Sequence, residues 1–280
     1  MEKINGFINL IRPINCLMMG LAVLIGEFIA AKLASQEALM SGFTTAFALT
    51  ASSMAINDFY DRSVDAVNEP KRPIPSGIIH PAEALIYAFF FSVIGLVGAY
   101  LTNTVSFIVA LIFFAVSLLY NTWGKKTGLL GNFMVSACIA IPFIYGGLAV
   151  GKGIVKILVV FALLAFLSNT GREITKGISD VEGDHRRNVR TIAILFGPKT
   201  AAYTATAFYG LAVALSGIPW IYQMVSNIAY VPIVLLANIG FIGSSILLLK
   251  DYSRENAKRV KNLVILCMFI GLIAFLIGGY

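Results

Sequence analysis

Two short runs of this chain concentrate the residues able to do chemistry. The first is Asn57-Asp58-Phe59-Tyr60-Asp61-Arg62-Ser63-Val64-Asp65; the second runs from Arg172 to Asp184 as REITKGISDVEGD. If the first run is helical, Asp58, Asp61 and Asp65 stand at i, i+3 and i+7, which places all three on one face within about a 60° arc. Glu173, Lys176, Asp180 and Asp184 form a second single-face stripe, with Glu182 turned away. Carboxylates at this spacing repel one another by roughly a few tenths of a kcal/mol per pair, so each stripe asks for a positive partner. A solvated helix end, structural ion pairs with nearby Arg and Lys, and the coupling-ion site of a transporter are the competing explanations. Repetition weakens all three: Asp61 and Asp65 recur as Asp180 and Asp184, both 119 positions further on. Two sets of carboxylates facing one cavity can hold hard cations through oxygen, and Mg2+ prefers one or two carboxylates completed by substrate phosphate oxygens and water. The pattern therefore implies Mg2+-assisted handling of a diphosphate.

The cations around these runs fit the same chemistry. Asn68-Glu69-Pro70-Lys71-Arg72-Pro73-Ile74-Pro75-Ser76-Gly77 is a stiff loop whose three prolines position Lys71 and Arg72. Tyr120-Asn121-Thr122-Trp123-Gly124-Lys125-Lys126 supplies a phenol and two ammonium groups, Arg172 and Lys176 flank the second stripe, and Arg12 precedes Pro13. Arg grips phosphate bidentately and Lys acts as a point charge. Taken singly, each of these cations is as readily an interfacial anchor.

The elements that must carry these groups are membrane helices. Of 280 residues 58% are hydrophobic and only 12% charged, with a mean hydropathy of +0.85, against about 45–50% apolar and 25% charged in soluble domains. This excludes a water-soluble fold, an intrinsically disordered chain and a disulfide-stapled secreted module. Cys16, Cys138 and Cys267 lie in apolar stretches without metal-ligand spacing and read as small core hydrophobes. Windows of about 19 residues give apolar segments at 14–34, 38–56, 83–101, 104–121, 129–149, 154–171, 200–217, 227–249 and 262–279. The fold expected is all-α: nine transmembrane helices in a bundle, one domain over 1–280, with an internal four-helix repeat of 1–128 and 129–250 and a final helix at 262–279. No cleavable signal is expected in MEKINGFINLIRP.

Placing the amino terminus in the cytoplasm leaves only Lys32, Lys152 and Lys156 of the 21 Lys and Arg outside, as the positive-inside rule requires. The carboxyl terminus is then external. The net charge of +7 faces anionic lipid headgroups, so no nucleic-acid partner is needed. Both acidic runs fall on the cytoplasmic side, and of 14 acids only Glu27 and Glu37 do not. Glu27 is expected to pair with Lys32 or to reach the external surface, with no catalytic role. The stretch KDYSRENAKRVK at 250–261 reads as a basic loop against the lipid surface.

NDFYDRSVD at 57–65 and DVEGD at 180–184, in a nine-span chain, resemble the paired aspartate motifs of the UbiA-type intramembrane prenyltransferases. RPINCLM at 12–18, NEPKRPIPSG at 68–77 and YNTWGKKTGLLGN at 120–132 look most like the archaeal branch that prenylates geranylgeranylglyceryl phosphate. The resemblance covers nearly the whole chain. Tyr120 reaches Lys125 with one residue more than the Tyr-x-x-x-Lys spacing of many relatives, so either Lys125 or Lys126 plays the family lysine. Gly177 and Asn188 also depart from the usual flanking residues. The resemblance implies Mg2+-dependent geranylgeranyl transfer from an isoprenoid diphosphate to a lipid-phosphate acceptor. Asp58, Asp61, Asp65, Asp180 and Asp184 are the expected metal ligands, with Lys125 at the leaving group. Arg12, Asn15, Asn57, Lys71, Arg72, Tyr120, Lys126, Arg172 and Lys176 are the expected substrate contacts. The allylic cation needs a dry site with aromatic faces, for which Phe59, Tyr60 and Tyr120 are candidates. Asp65, Asn15 or a phosphate oxygen orients or accepts the acceptor's proton, and Arg12, Lys126, Lys176 and Arg186 are available to its phosphate. A quinone-type aromatic acceptor and an ion-coupled transporter are the rival readings.

Overall fold

The computed structural model describes residues 2–185 and 189–279, without the side chains of Asn68, His185 and Asn227. The first break in the chain follows from Pro13. A proline fits the first turn of a helix but cannot continue one, so α1 (Glu2–Ile11) stops and α2 (Pro13–Ala30) begins, with Arg12 between them in the left-handed region at φ 50°. The sequence reading expected no separate helix before residue 14, because ten residues with charges at one end never fill a membrane-length window.

Then follow α3 (Gln36–Asn68), α4 (Pro81–Thr102), α5 (Thr104–Thr122), α6 (Leu129–Ala149), α7 (Lys156–Ser179), α8 (Val181–His185), α9 (Ile192–Leu215), α10 (Ile218–Ile221), α11 (Asn227–Lys250) and α12 (Arg254–Gly278). Among the described residues nine helices are long and apolar enough to cross a membrane. Capping sets several of their ends. The Ser35 hydroxyl accepts from Ala38 N at 3.2 Å to start α3, and the Asn103 side chain accepts from Ser106 N at 2.8 Å to start α5. Ser253 starts α12 by accepting from Asn256 N at 3.3 Å. Its own N–H and hydroxyl donate to the Asp251 carboxylate, at 2.8 and 2.7 Å, which lowers the pKa of that exposed acid. Residues 254–261, expected as loop, are therefore the first turns of the last helix.

The chain divides into two compact units, residues 1–125 with 141–154, and 126–140 with 155–280. In the first, α1, α2, α4 and α5 pack on α3; one core is Leu10, Ala55, Ile74, Ile79, Ala84 and Ala88, another Val23, Ala99, Ala110, Tyr145 and Ala149. In the second, α7 packs on α9 and α12, and α11 on α9 and α12. Its core runs from Ile174 and Ile178 through Tyr209 and Phe241 to Val260 and Val264. The division inside α6 falls beside Pro142, which lacks an N–H for the helix. Cys16 and Cys267 are buried, Cys138 is half-buried, and none of the three is in a disulfide among the described residues.

Candidate functional site

In the first unit α3 stays helical through Asp58, Asp61 and Asp65 as far as Asn68, so the three carboxylates do share one face. Each meets a cation from a different part of the chain. Arg12 Nη2 donates to Asp58 Oδ1. Arg72 Nη1 donates to Asp65 Oδ2 at 2.6 Å and to Asp58 Oδ1 at 3.4 Å. Lys125 Nζ donates to Asp61 Oδ2 at 2.7 Å and lies 5.6 Å from the Tyr120 ring centroid. Asp58 is only 2% exposed, and an ionised carboxylate at that burial requires paired, hydrogen-bonded positive charge. Burial works against the charge on Arg72, but Asp65 and Asp58 outweigh it and raise the guanidinium pKa.

The proline loop places Arg72 by its own backbone bonds: Arg72 N donates to Glu69 O at 3.0 Å, and Ile79 N to Pro73 O at 2.9 Å. Pro73 and Ile74 are buried while Lys71 is exposed, so the loop aims one of its two adjacent cations at the aspartates. Lys125 is half-buried against Asp61 whereas Lys126 is exposed, so the geometry separates two lysines that spacing left equivalent. Asn15 and Asn57 are half-buried, and Asn15 N donates to Arg12 O at 2.9 Å. Arg62 turns back over Phe59, 4.5 Å from its ring centroid.

The second unit treats its acidic run differently. α7 ends at Ser179, Asp180 is its cap, and Asp184 lies in the short α8. The expected stripe is thus interrupted at Asp180, where the Ser179 hydroxyl donates to Asp180 Oδ1 at 2.7 Å; this side-chain bond competes with regular helix. Helical hydrogen bonding still bridges the break, from Asp180 N to Lys176 O at 3.1 Å and from Asp184 N to Asp180 O at 3.0 Å. Glu173 takes both nearby cations, Arg172 at 2.8 Å and Lys176 at 3.5 Å, while Glu182 pairs with Arg254 at 2.6 Å. Arg172 Nε is buried and has no hydrogen-bond partner, a donor whose capacity suits an incoming anion. Arg186 and Asn188 lie outside the described residues.

Sequence reasoning missed three supports here. Gly128 has φ +67° and faces the Arg190 carbonyl, where a Cβ would collide, while Arg190 N donates to Lys126 O at 3.2 Å. This ties the segment after Lys125 to the one before Thr191. Ser136 accepts from Asn169 at 3.1 Å and Thr170 at 2.9 Å, all three buried, one turn before Arg172. Tyr209, fully buried, meets Thr175 at 2.8 Å. The signal available for the second of these was the polar Ser168-Asn169-Thr170 run inside an apolar helix.

The donor set is all carboxylate oxygen, which suits a hard cation such as Mg2+. Among the described residues no three His, Cys, Asp or Glu side chains form a ready-made metal cluster.

Known proteins share this plan. A chain from Methanosarcina mazei called digeranylgeranylglyceryl phosphate synthase is 34% identical over 293 residues, spanning 98% of both chains. A solved structure from work on digeranylgeranylglyceryl phosphate synthase in membranes superposes with a TM-score of 0.77 at 33% identity, covering 100% of this chain and 99% of that one. A UbiA homologue from Archaeoglobus fulgidus bound to DMAPP and Mg2+ has a TM-score of 0.69 at 22% identity, over 96% of this chain and 99% of its own, and shares the fold. The model of the UbiA prenyltransferase family matches residues 19–273, both aspartate runs included. With that span matched and full-length relatives at this identity, the chain belongs to the UbiA prenyltransferase family.

Proposed function

We propose that this membrane enzyme transfers a geranylgeranyl group from geranylgeranyl diphosphate to geranylgeranylglyceryl phosphate, forming digeranylgeranylglyceryl phosphate. The observation that carries the reading is the row of three aspartates on α3 balanced by Arg12, Arg72 and Lys125. This is a site of paired charges that a metal–diphosphate can enter by exchanging partners, aspartates turning to metal and cations to phosphate oxygens. Full-length relatives named for this synthase support the choice of acceptor.

Asp58, Asp61, Asp65, Asp180 and Asp184 would hold Mg2+, which when bound screens the diphosphate and assists departure of its oxygen as a Lewis acid. Arg72, Lys125 and Arg172 donate hydrogen bonds to the phosphate oxygens as charge builds on them, and donors preorganised for developing charge lower the barrier most. The C1–O bond of the allylic ester breaks, and its electron pair leaves with the diphosphate. The acceptor's hydroxyl oxygen forms the new ether bond to C1, and its proton passes to the Asp65 carboxylate or to an oxygen of the departing diphosphate. Phe59 and Tyr120 offer ring faces to the allylic cation, and the apolar helices around them exclude water. Lys176 and Arg12 are the cations proposed for the acceptor phosphate. We place the aspartate ends of the helices, and the amino terminus, on the cytoplasmic side, because 18 of the 21 Lys and Arg, all but Lys32, Lys152 and Lys156, then lie there.

The test is incubation of purified protein with geranylgeranyl diphosphate and either geranylgeranylglyceryl phosphate or an aromatic quinone precursor, with lipid products identified by mass. The expected product is the doubly geranylgeranylated glyceryl phosphate, formed with Mg2+ and lost on chelation. Prenylation of the aromatic acceptor alone would overturn the assignment.

A further inference from the structure

At the end of the first unit opposite the α3 aspartates lies a second polar group that the proposed reaction does not use. Its centre is Glu27, fully buried near the end of α2, with neither carboxylate oxygen hydrogen-bonded. It neither pairs with Lys32, which is exposed, nor reaches the surface, contrary to expectation. Near it is Tyr145 on α6, whose hydroxyl brings in Thr45 on α3, Thr102 on α4 and Ser106 on α5. The Tyr145 hydroxyl faces those of Thr45, Thr102 and Ser106 and lies within electrostatic range of Glu27. Ser106 and Tyr145 are 0% and 4% exposed, and neither hydroxyl completes a hydrogen bond.

The packing makes room for this arrangement. A Cβ on Gly42 would strike Glu27 Oε1, one on Gly98 would crowd Thr45 Oγ1, and Gly26 and Gly146 let the backbones of α2 and α6 touch, which brings Tyr145 beside Glu27. Thr45 donates its hydroxyl hydrogen to Ser41 O at 2.8 Å, and Thr102 lies 2.9 Å from Gly98 O. With their hydrogens engaged on carbonyls, both hydroxyls present lone pairs. The Ser106 and Tyr145 hydroxyls keep a hydrogen each, and among the described residues no Lys, Arg or His acts on Glu27. A fully buried carboxylate with no positive partner is costly; a cation satisfies it and takes the lone pairs of the neighbouring hydroxyls as further ligands.

We propose that Glu27, Thr45, Thr102, Ser106 and Tyr145 bind one small monovalent cation of the Na+ class, which ties together five helix ends. Charge sets the valence: a single carboxylate neutralises one positive charge, whereas a divalent ion would leave a net charge in an apolar surround. Carboxylate and hydroxyl oxygens are the ligands such hard ions take. Thr45 and Asp58 are 13 residues apart on α3, about 20 Å along the helix axis, so this site is separate from the aspartate site.

The experiment measures thermal unfolding of the detergent-purified full chain in NaCl against choline chloride at equal ionic strength, together with direct 22Na+ binding. Expected are a saturable rise of about 5 °C in Na+ and one bound ion per chain. Glu27→Gln should abolish both, and Tyr145→Phe should raise the half-saturating Na+ concentration at least about threefold. Equal unfolding temperatures in the two salts, absence of bound 22Na+, or Na+ stabilisation that survives Glu27→Gln would each overturn the site. Binding to the unmodified chain and the response of Tyr145→Phe decide the matter even if Glu27→Gln does not fold.

Discussion

Asp61 and Lys125 face each other at 2.7 Å with most of both side chains shielded from water, a geometry in which either partner alone is costly. Asp61→Ala and Asp184→Ala are each expected to reduce Mg2+-dependent transfer by at least about a thousandfold, the upper end of the 10²–10³ typical of one lost electrostatic donor. Circular dichroism and gel filtration in detergent should report an intact helical protein, and full activity in either variant would remove the metal-site reading. Arg12 makes a sharper case, since a non-glycine residue in the left-handed region carries roughly 1–2 kcal/mol of strain. Arg12→Gly relieves that strain while deleting the charge beside Asp58. The expected result is an unfolding temperature within about 3 °C of the parent and a KM for the geranylgeranylglyceryl phosphate acceptor raised at least tenfold; an unchanged KM would sink this role. Asp58, Asp61 and Asp65 were legible in the sequence because helical spacing alone groups them. Their partners were less so: Arg12 lies 46 residues from Asp58 and Lys125 64 residues from Asp61, and no local pattern tells Lys125 from Lys126.

At the level of the element, α3 matters for its continuity. It is 33 residues long, about 50 Å at 1.5 Å per residue, so it crosses a 30 Å hydrocarbon layer and still has turns left to project its aspartates beyond. Hydropathy windows ended this span at residue 56 because the aspartates themselves depress the average. One alanine inserted after Ser63 should keep the helix but turn Asp65 about 100° away from Asp58 and Asp61. Transfer is expected to fall at least about a hundredfold with helical content unchanged, and a variant retaining full activity would show that the shared face is dispensable. The same averaging hid α1 and the charged first turns of α12. The end of α7 escaped for another reason: the bond from Ser179 to Asp180 is a local competition that periodicity cannot register.

For the whole molecule, the nine spans found among the described residues accord with the proposal that the two termini lie on opposite faces of the membrane. A reporter that fluoresces only in the cytoplasm is expected to light when fused to the amino terminus and stay dark at the carboxyl terminus; the reverse pattern would refute the proposed sidedness. The number of spans and the family were legible because membrane length and paired aspartates are one-dimensional signals. The buried Glu27 group was not, since five residues on five helices meet there only after folding, and a lone acid near a helix end looks from sequence like a surface residue.

The division within α6 bears on how the protein is made. Asn103, at the start of α5, donates to the carbonyls of Leu148 and Ala149 at 3.1 and 3.3 Å, and Val23 shares a core with Tyr145 and Ala149. Residues 141–154 thus complete the packing of helices synthesised well before them. During translation the first 125 residues can enter the bilayer but must wait, with Glu27 and its neighbouring hydroxyls still unsealed, until the ribosome has passed residue 154. A nascent chain arrested at residue 130 should accordingly be protease-sensitive where one arrested some tens of residues beyond 154 is protected, making the second half of one helix the timer for the whole amino-terminal half.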